Sequence, residues 1–159
     1  MKTKFQFLCL FCLTLFFLSG CDETNILPTS SKDDRQHQLQ QQLIEAIYYR
    51  HANDVSAVLE AGAGVNIRSS DTTPLHVAVE AAALAVYEGD VMVSLMKEIL
   101  LAKINLLVEE GADINARNGD GFTPLDIAVI VANDPTVSEK FSPVVNYLRG
   151  KGAKRGREL

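Results

Sequence analysis

The pattern of apolar and polar positions divides the chain into an apolar N-terminal run, a polar stretch and a long region of helical periodicity. The apolar run, residues 7–18, contains a single polar residue and follows two lysines. It is shorter than the ~20 apolar residues that a membrane-spanning helix needs, so it predicts a signal peptide over residues 1–20. Between residues 36 and 153, apolar residues recur at helical spacing with Gly, Pro and Asn between them, which predicts several helices.

The end of the apolar run has the pattern of a lipid-attachment site. Leu18-Ser19-Gly20-Cys21 resembles the lipobox of bacterial lipoproteins, where the chain is cut before a cysteine that has received a diacylglycerol. The resemblance implies lipidation of Cys21 and stable anchoring on the periplasmic face of a membrane, since several acyl chains hold a protein firmly. Asp22 resembles an inner-membrane retention signal. The alternative is an ordinary signal peptide followed by a chance cysteine.

The polar stretch predicts a flexible tether over residues 21–35, because it lacks apolar periodicity. As a flexible coil it would span roughly 20 Å. The folded domain is expected over residues 36–153, and residues 154–159 are expected to form a basic C-terminal tail in solvent.

The folded region repeats two phrases. Thr-Pro-Leu occurs at 73–75 and again at 123–125, each time followed by Ala three residues after the Leu. Threonine is a good helix N-cap and proline suits the first helical position, so both phrases predict helix starts. Gly-Ala occurs at 62–63, 111–112 and 152–153, where a left-handed glycine is expected to end a helix.

These phrases are similar to those of the ankyrin repeat, which has a period of ~33 residues and the signature T-P-L-H-x-A. The resemblance covers residues 41–153 and implies an all-α ankyrin-repeat solenoid of about three helix-turn-helix repeats. It also implies that His76 makes hydrogen bonds between repeats and that Asn66 and Asn115 lie in turns that project outward.

Two repeats depart from the ankyrin pattern. The middle repeat is longer by about 17 residues, which predicts an elongated helical hairpin with a turn at 88–90, taller than its neighbours. In the last repeat, Asn133-Asp134-Pro135 is expected to end the first helix, and Ser142-Pro143 to begin the second as cap and first position.

Charge excludes one class of partner. Formal net charge is −5 for the whole chain, −7 without the two N-terminal lysines, and −11 for residues 21–148 alone. Such an acidic body is a poor nucleic-acid binder, because phosphate contacts need clustered Lys and Arg. It favours a basic protein surface instead.

The sequence contains no recognisable catalytic constellation. Gly-x-Ser-x-Gly, a phosphate-binding loop and His-Glu-x-x-His are all missing. We therefore expect no enzyme activity, no cofactor and no metal. His51 near Asp54 leaves metal binding as a minor alternative.

Partner-binding residues are predicted from the resemblance. Ankyrin repeats usually meet their partners through the projecting turns and the exposed side of each first helix, and Tyr and Arg often carry interface energy. The residues matching these positions are Tyr48, Tyr49, Arg68, Ser69, Asp71, Glu80, Tyr87, Arg117, Asn118, Asp120, Phe122 and Ile130. For Tyr48 and Phe122, packing against a neighbouring repeat is an equal alternative.

The favoured function is a membrane-anchored module that binds a protein partner and is monomeric when free. Some similar lipoproteins protect bacteria from phospholipase or other effectors of type VI secretion, so the resemblance implies an immunity protein. The alternatives are a scaffold for a periplasmic enzyme such as a catalase, and a hydrolase with an unrecognised site. The double variant Tyr48→Ala/Arg117→Ala is expected to weaken partner binding with little change in melting temperature.

Overall fold

A computed structural model describes residues 32–49, 52–87 and 93–159, with the backbone alone for residues 93–98 and 100. Within these ranges the chain is all-α, as predicted, and its only strand-like pairing is an isolated bridge between Ser69 and Thr72. A short 3₁₀ turn, Gly156–Glu158, follows the last helix. The α-helices are α1 Lys32–Tyr49, α2 Ala52–Glu60, α3 Pro74–Tyr87, α4 Val93–Glu109, α5 Pro124–Ala132 and α6 Ser138–Gly150.

Four sequence-based predictions lie outside the described residues. They are the signal peptide, the lipidated Cys21, the tether as far as residue 31 and the turn at 88–90.

The helices pack as three consecutive pairs in two layers. The first helices of the pairs form one layer, in which α3 lies between α1 and α5, and in the second layer α2 contacts α4. Fully buried Leu, Ile and Phe side chains fill the space between the layers, among them Leu43, Leu75, Ile104, Leu125 and Phe141. Each pair therefore buries apolar side chains both between its own two helices and against the adjoining pair.

The helix ends follow the predicted chemistry. Thr123 caps α5, and its hydroxyl accepts from the N–H of Asp126, with Pro124 at the first helical position. Gly62, Gly111 and Gly152 have φ values of +100°, +86° and +89°. These left-handed glycines end α2, α4 and α6, as predicted.

The lengths of the helices confirm the elongated middle pair only in part. Helices α3 and α4 have 14 and 17 residues, against 9 and 13 for α5 and α6. Helix α1, however, has 18 residues, so the middle pair is not taller than both neighbours. Helix α1 begins at Lys32, three residues before the predicted end of the tether at residue 35. The side chains of Gln36 and Gln40 bond this helix to the carbonyls of Gly62 and Ile67.

The predicted start of the last helix is wrong. Asn133 does follow the end of α5, but α6 begins at Ser138 and contains Pro143 in its interior. Burial of Phe141, which is fully enclosed, holds the first turn of α6 against the core. The hydroxyl of Ser142 donates to the carbonyl of Ser138 at 2.7 Å, which supports the backbone one residue before a proline that lacks an N–H.

Candidate recognition surface

The turns between pairs are joined by a ladder of arginine side chains. Arg68 donates from Nη2 to the carbonyl oxygen of Arg117 at 2.7 Å, and Arg117 donates in the same way to the carbonyl of Gly156 at 2.6 Å. Both arginines were predicted to bind a partner, yet each uses part of its guanidinium to hold the next turn. Because Arg117→Ala removes a charge-assisted hydrogen bond, the expectation that this substitution leaves the melting temperature almost unchanged no longer holds.

Two asparagines form a second ladder beside the first. The side chain of Asn66 donates to the carbonyl of Gly111 at 3.0 Å and accepts from the N–H of Asp113 at 2.7 Å. Asn115 accepts from the N–H of Lys154, also at 2.7 Å. Both asparagines lie in turns, as expected, and their side chains also bond to backbone groups of the following pair.

His76 makes the predicted hydrogen bonds between repeats. Its ring is fully buried, with Nδ1 2.7 Å from the hydroxyl of Thr73 and Nε2 3.0 Å from the carbonyl of Phe122. A carbonyl oxygen only accepts, so Nε2 carries the proton and Nδ1 accepts from Thr73. Burial lowers the pKa of His76, against the raising effect of the Phe122 carbonyl, and the ring is neutral at pH 7.

The C-terminal tail is docked and does not lie free in solvent as expected. Asp126, which is 6% exposed, accepts from the N–H of Gly156 at 2.7 Å and from Nε of Arg155 at 2.9 Å. The hydroxyl of Thr123 lies 2.9 Å from the carbonyl of Lys154. Asp126 follows the second Thr-Pro-Leu phrase as His76 follows the first. The tail therefore bonds to Asp126 of α5 as the turn around Phe122 bonds to His76 of α3.

The pKa of Asp126 reflects this contact. Burial raises it, but the N–H of Gly156, the guanidinium of Arg155 and the N–H and hydroxyl of Thr123 together lower it to about 2. The carboxylate is therefore ionised over the whole physiological range.

The remaining predicted turn residues are exposed or partly exposed, and some shape the turns. Asn118 accepts at Oδ1 from the N–H groups of Asp120 and Phe122, so its side chain serves the turn itself. Asp71 has φ of +64°. It lies close to Gly119, where an added Cβ would be only 2.9 Å from the Cβ of Asp71. Ser69, Asp71 and Asp120 remain open to solvent, and Phe122 is 42% exposed.

The predicted residues on the first helices fall into two groups, of which the first lies around the end of α1. Tyr49 is 83% exposed, whereas Tyr48 is partly buried and packs against the core, as its alternative reading held. Burial raises the pKa of Tyr48, and the nearby carboxylate of Glu80 raises it further. Burial also raises the pKa of Glu80, so both of these ionisable side chains are partly shielded from solvent.

The second group is an exposed apolar stripe, defined here as Leu84, Tyr87 and Ile130. Leu84 is 55% exposed, and Tyr87 and Ile130 are each 52% exposed. Tyr87 donates from its hydroxyl to Asp134 at 3.1 Å, which ties the end of α3 to the segment after α5. Leu84 was missed from the sequence, although it lies four residues after Glu80 and so on the same side of the helix.

Helix α4 makes two polar contacts that the sequence did not reveal. Lys103 is 3% exposed and donates from Nζ to the carbonyl of Ile47 at 2.6 Å, near the end of α1, where carbonyls lack helical partners. Burial lowers the pKa of Lys103, and Asp54 opposes this. Tyr147 donates to the side-chain oxygen of Asn105 at 2.5 Å, so a polar bond links α4 to each adjoining pair.

Over the described ranges, no group of three His, Cys, Asp or Glu side chains is placed to hold a metal ion. None of the described helices has the length and apolar character needed to cross a membrane. His51 of the sequence-based metal alternative lies outside the described residues.

A scan against protein-family models finds no match, and a search of curated proteins finds no significant one.

Proposed function

We propose that this protein is a binding module whose target is another protein and whose contact surface is the layer of first helices. The observation that carries the proposal is the exposed apolar stripe, in which three large side chains from two adjacent helices are each more than half exposed. Large apolar side chains grouped on a surface are typical of interaction sites. Full burial of an exposed apolar side chain contributes about 1.5–3 kcal/mol. Because these three are already about half buried, covering the rest of each contributes about 0.8–1.5 kcal/mol.

We further propose that the three helical pairs are ankyrin repeats. Support comes from the paired Thr-Pro helix starts, the three Gly-Ala helix ends and the side-chain ladders that join successive turns. In a solenoid of this kind, each unit contacts its neighbours and one face remains free along its whole length.

The membrane anchor is part of the same proposal. Lipidation at Cys21 would hold the protein on the periplasmic face of a bacterial membrane, and Asp22 favours the inner membrane. Two features support this: the lipobox-like Leu18-Ser19-Gly20-Cys21 and the preceding run of apolar residues too short to span a bilayer.

The most specific version of the function is an immunity protein that neutralises a type VI secretion effector of the phospholipase kind. A lipid anchor would place the inhibitor where a lipid-attacking toxin arrives, and the acidic body would accelerate capture of a basic surface. The alternative is a scaffold for a periplasmic enzyme. Deletion of the gene is expected to make cells sensitive to an effector encoded beside it, whereas unchanged survival contradicts the immunity role.

The binding surface is tested by charge substitution on the two layers. Leu84→Asp and Ile130→Asp are expected to reduce recovery of the partner from cells more than tenfold, because each replaces an apolar contact by a carboxylate that must lose its water. Ala57→Asp and Asn146→Asp are matched controls, since both positions are exposed on the second layer and receive the same charge. Equal loss in all four variants, or in none, contradicts the proposed surface.

A further inference from the structure

The exposed apolar stripe has a carboxylate at each end. Glu80 lies four residues before Leu84 on α3, so the two side chains share one side of the helix. Tyr87 follows Leu84 by three residues, and its hydroxyl bonds to Asp134 at 3.1 Å. Glu80 is close enough to Tyr48 of α1 to raise the pKa of that tyrosine. The stripe therefore lies between Glu80 on the side of α1 and Asp134 after the end of α5.

Glu80 is the carboxylate of this pair that is open to a partner. It is partly exposed, and no hydrogen bond or ion pair joins it to another described residue. Burial raises its pKa, and no cationic side chain among the described residues lowers it. Its oxygens still touch solvent, since the fully enclosed, unpaired side-chain acceptor in the described ranges is Gln40 Oε1. Asp134, in contrast, already accepts from Tyr87 and Thr136.

The helices around Glu80 contribute no positive charge. Helices α3 and α5 contain no Lys or Arg, and neither do residues 36–49 of α1. Arg35 is about 20 Å from Tyr48 along the axis of α1, more than twice the Debye length of about 8 Å at physiological ionic strength. Arg50, the next residue after α1, lies outside the described residues. A complementary occupant is therefore positive opposite Glu80 and apolar beside it.

We propose that the partner covers the stripe with an amphipathic segment, whose apolar side chain lies on Leu84 and Ile130 and whose adjoining Lys or Arg pairs with Glu80. The stem of a Lys or Arg is apolar, so it lies along Leu84 while its charged head reaches the carboxylate about one helical turn away, ~6 Å. This inference rests on the proposed function, to which it adds the chemistry of the partner.

The direct test uses the purified protein and n-hexylguanidinium, which joins an apolar chain to the head group of arginine. In an NMR titration, saturable shifts are expected for the methyl groups of Leu84 and Ile130 and for the side chain of Glu80. n-Hexanol, which has the same chain without the charge, is expected to bind at least threefold more weakly. Glu80→Gln is expected to remove this difference, whereas Glu110→Gln, the same change at an exposed carboxylate after α4, keeps it.

The second test measures recovery of the partner from cells. Glu80→Lys is expected to reduce recovery more than tenfold because it places like charges together, and Glu110→Lys is the matched control. If Leu84→Asp abolishes recovery while Glu80→Lys leaves it unchanged, the proposed surface stands and the basic anchor is contradicted. If neither substitution changes recovery, the proposed surface fails as well.

Four further results overturn the proposal. The first two are equal binding of n-hexanol and n-hexylguanidinium, and equal binding of the cation by Glu80→Gln and the wild type. The third is a threefold gain of affinity in Arg50→Gln, because it shows that Arg50 already occupies Glu80. The fourth is dimerisation of the free protein, or its binding to neutral lipid vesicles, that Leu84→Asp abolishes, since either result assigns the stripe to another occupant.

Discussion

Replacement of Asp126 by asparagine removes the charge that holds the C-terminal tail on α5. The carboxylate accepts from the N–H of Gly156 at 2.7 Å, from Nε of Arg155 at 2.9 Å and from the N–H of Thr123 at 3.1 Å. Asparagine has the same shape, but one oxygen becomes an NH₂ group that faces donors. At least one of these bonds is therefore lost and replaced by a repulsive contact.

The magnitude follows from the pKa of Asp126, which falls from 3.8 to about 2. A shift of this size corresponds to at most about 2.4 kcal/mol between the ionised and protonated forms, and solvent near the tail reduces it. We expect Asp126→Asn to lower the free energy of unfolding at pH 7 by about 1–2 kcal/mol, or the Tm by roughly 4–8 °C for a domain of this size.

The pH dependence separates this effect from a general loss of packing. The native pKa of Asp126 is depressed, so its contribution is complete above 3.8 and is lost as pH falls through about 2. The assay is urea unfolding followed by circular dichroism, at several values between pH 7 and pH 2, on the wild type and the variant. The stability difference is expected to shrink toward pH 2. A difference below about 0.5 kcal/mol at pH 7, which is the scatter of neutral surface changes, or one independent of pH, refutes the reasoning.

Three further substitutions test the contacts between the pairs, each by urea unfolding at pH 7 against wild type. His76→Leu is expected to lower the free energy of unfolding by about 2–3 kcal/mol because it leaves the Phe122 carbonyl unpaired, and a loss under 1 kcal/mol contradicts the contact. Because the native pKa of His76 is lowered, the wild type also loses stability as pH falls below about 6.5, and the variant does not share this pH dependence. Arg117→Ala is expected to lower the free energy of unfolding by about 1 kcal/mol or more because it loses the bond to Gly156. Arg149→Ala, which changes an exposed arginine of α6, is the near-neutral control, and equal losses in the two variants contradict the stabilising role of the arginine ladder. Lys103→Ala is expected to cost about 2 kcal/mol, and Lys103→Met less than half of that because its stem still fills the space; equal losses contradict this assignment.

Local chemistry was predictable from the sequence because it depends on neighbours in the chain. The N-cap role of Thr123, the left-handed Gly62, Gly111 and Gly152, and the end of α5 at Asn133 each follow from conformational preferences of single residues. The bond from His76 to the next pair was expected from the resemblance of its Thr-Pro-Leu-His phrase, and its second partner, Thr73, stands in that same phrase.

Contacts between pairs were not predictable in the same way. The roles of Arg68 and Arg117 depend on which carbonyl oxygen lies across the turn, and the sequence pattern does not show that arrangement. An arginine in an exposed turn has the same appearance in the sequence whether it binds a partner or a neighbouring turn. The buried Lys103 was missed because its position on α4 shows only that it belongs to a helix.

Two boundaries were wrong because tertiary contacts outweigh local preference. Pro143 is a strong signal for the start of a helix, yet burial of Phe141 extends α6 back to Ser138. The basic tail has the composition of a solvated segment, but Arg155 is drawn to the buried carboxylate of Asp126. In both cases the deciding group is distant in sequence or hidden in the core.

Site-specific photo-crosslinking in cells tests the central claim most directly. A benzoyl-phenylalanine is placed singly at Leu84 or Ile130 on the layer of first helices, and in separate variants at Ala57 or Asn146 on the second layer. If the exposed apolar stripe is the face that holds the partner, the first two positions give the same discrete protein adduct and the last two give none. The account is contradicted if the adduct forms from the second layer, or if no position on the first layer gives one.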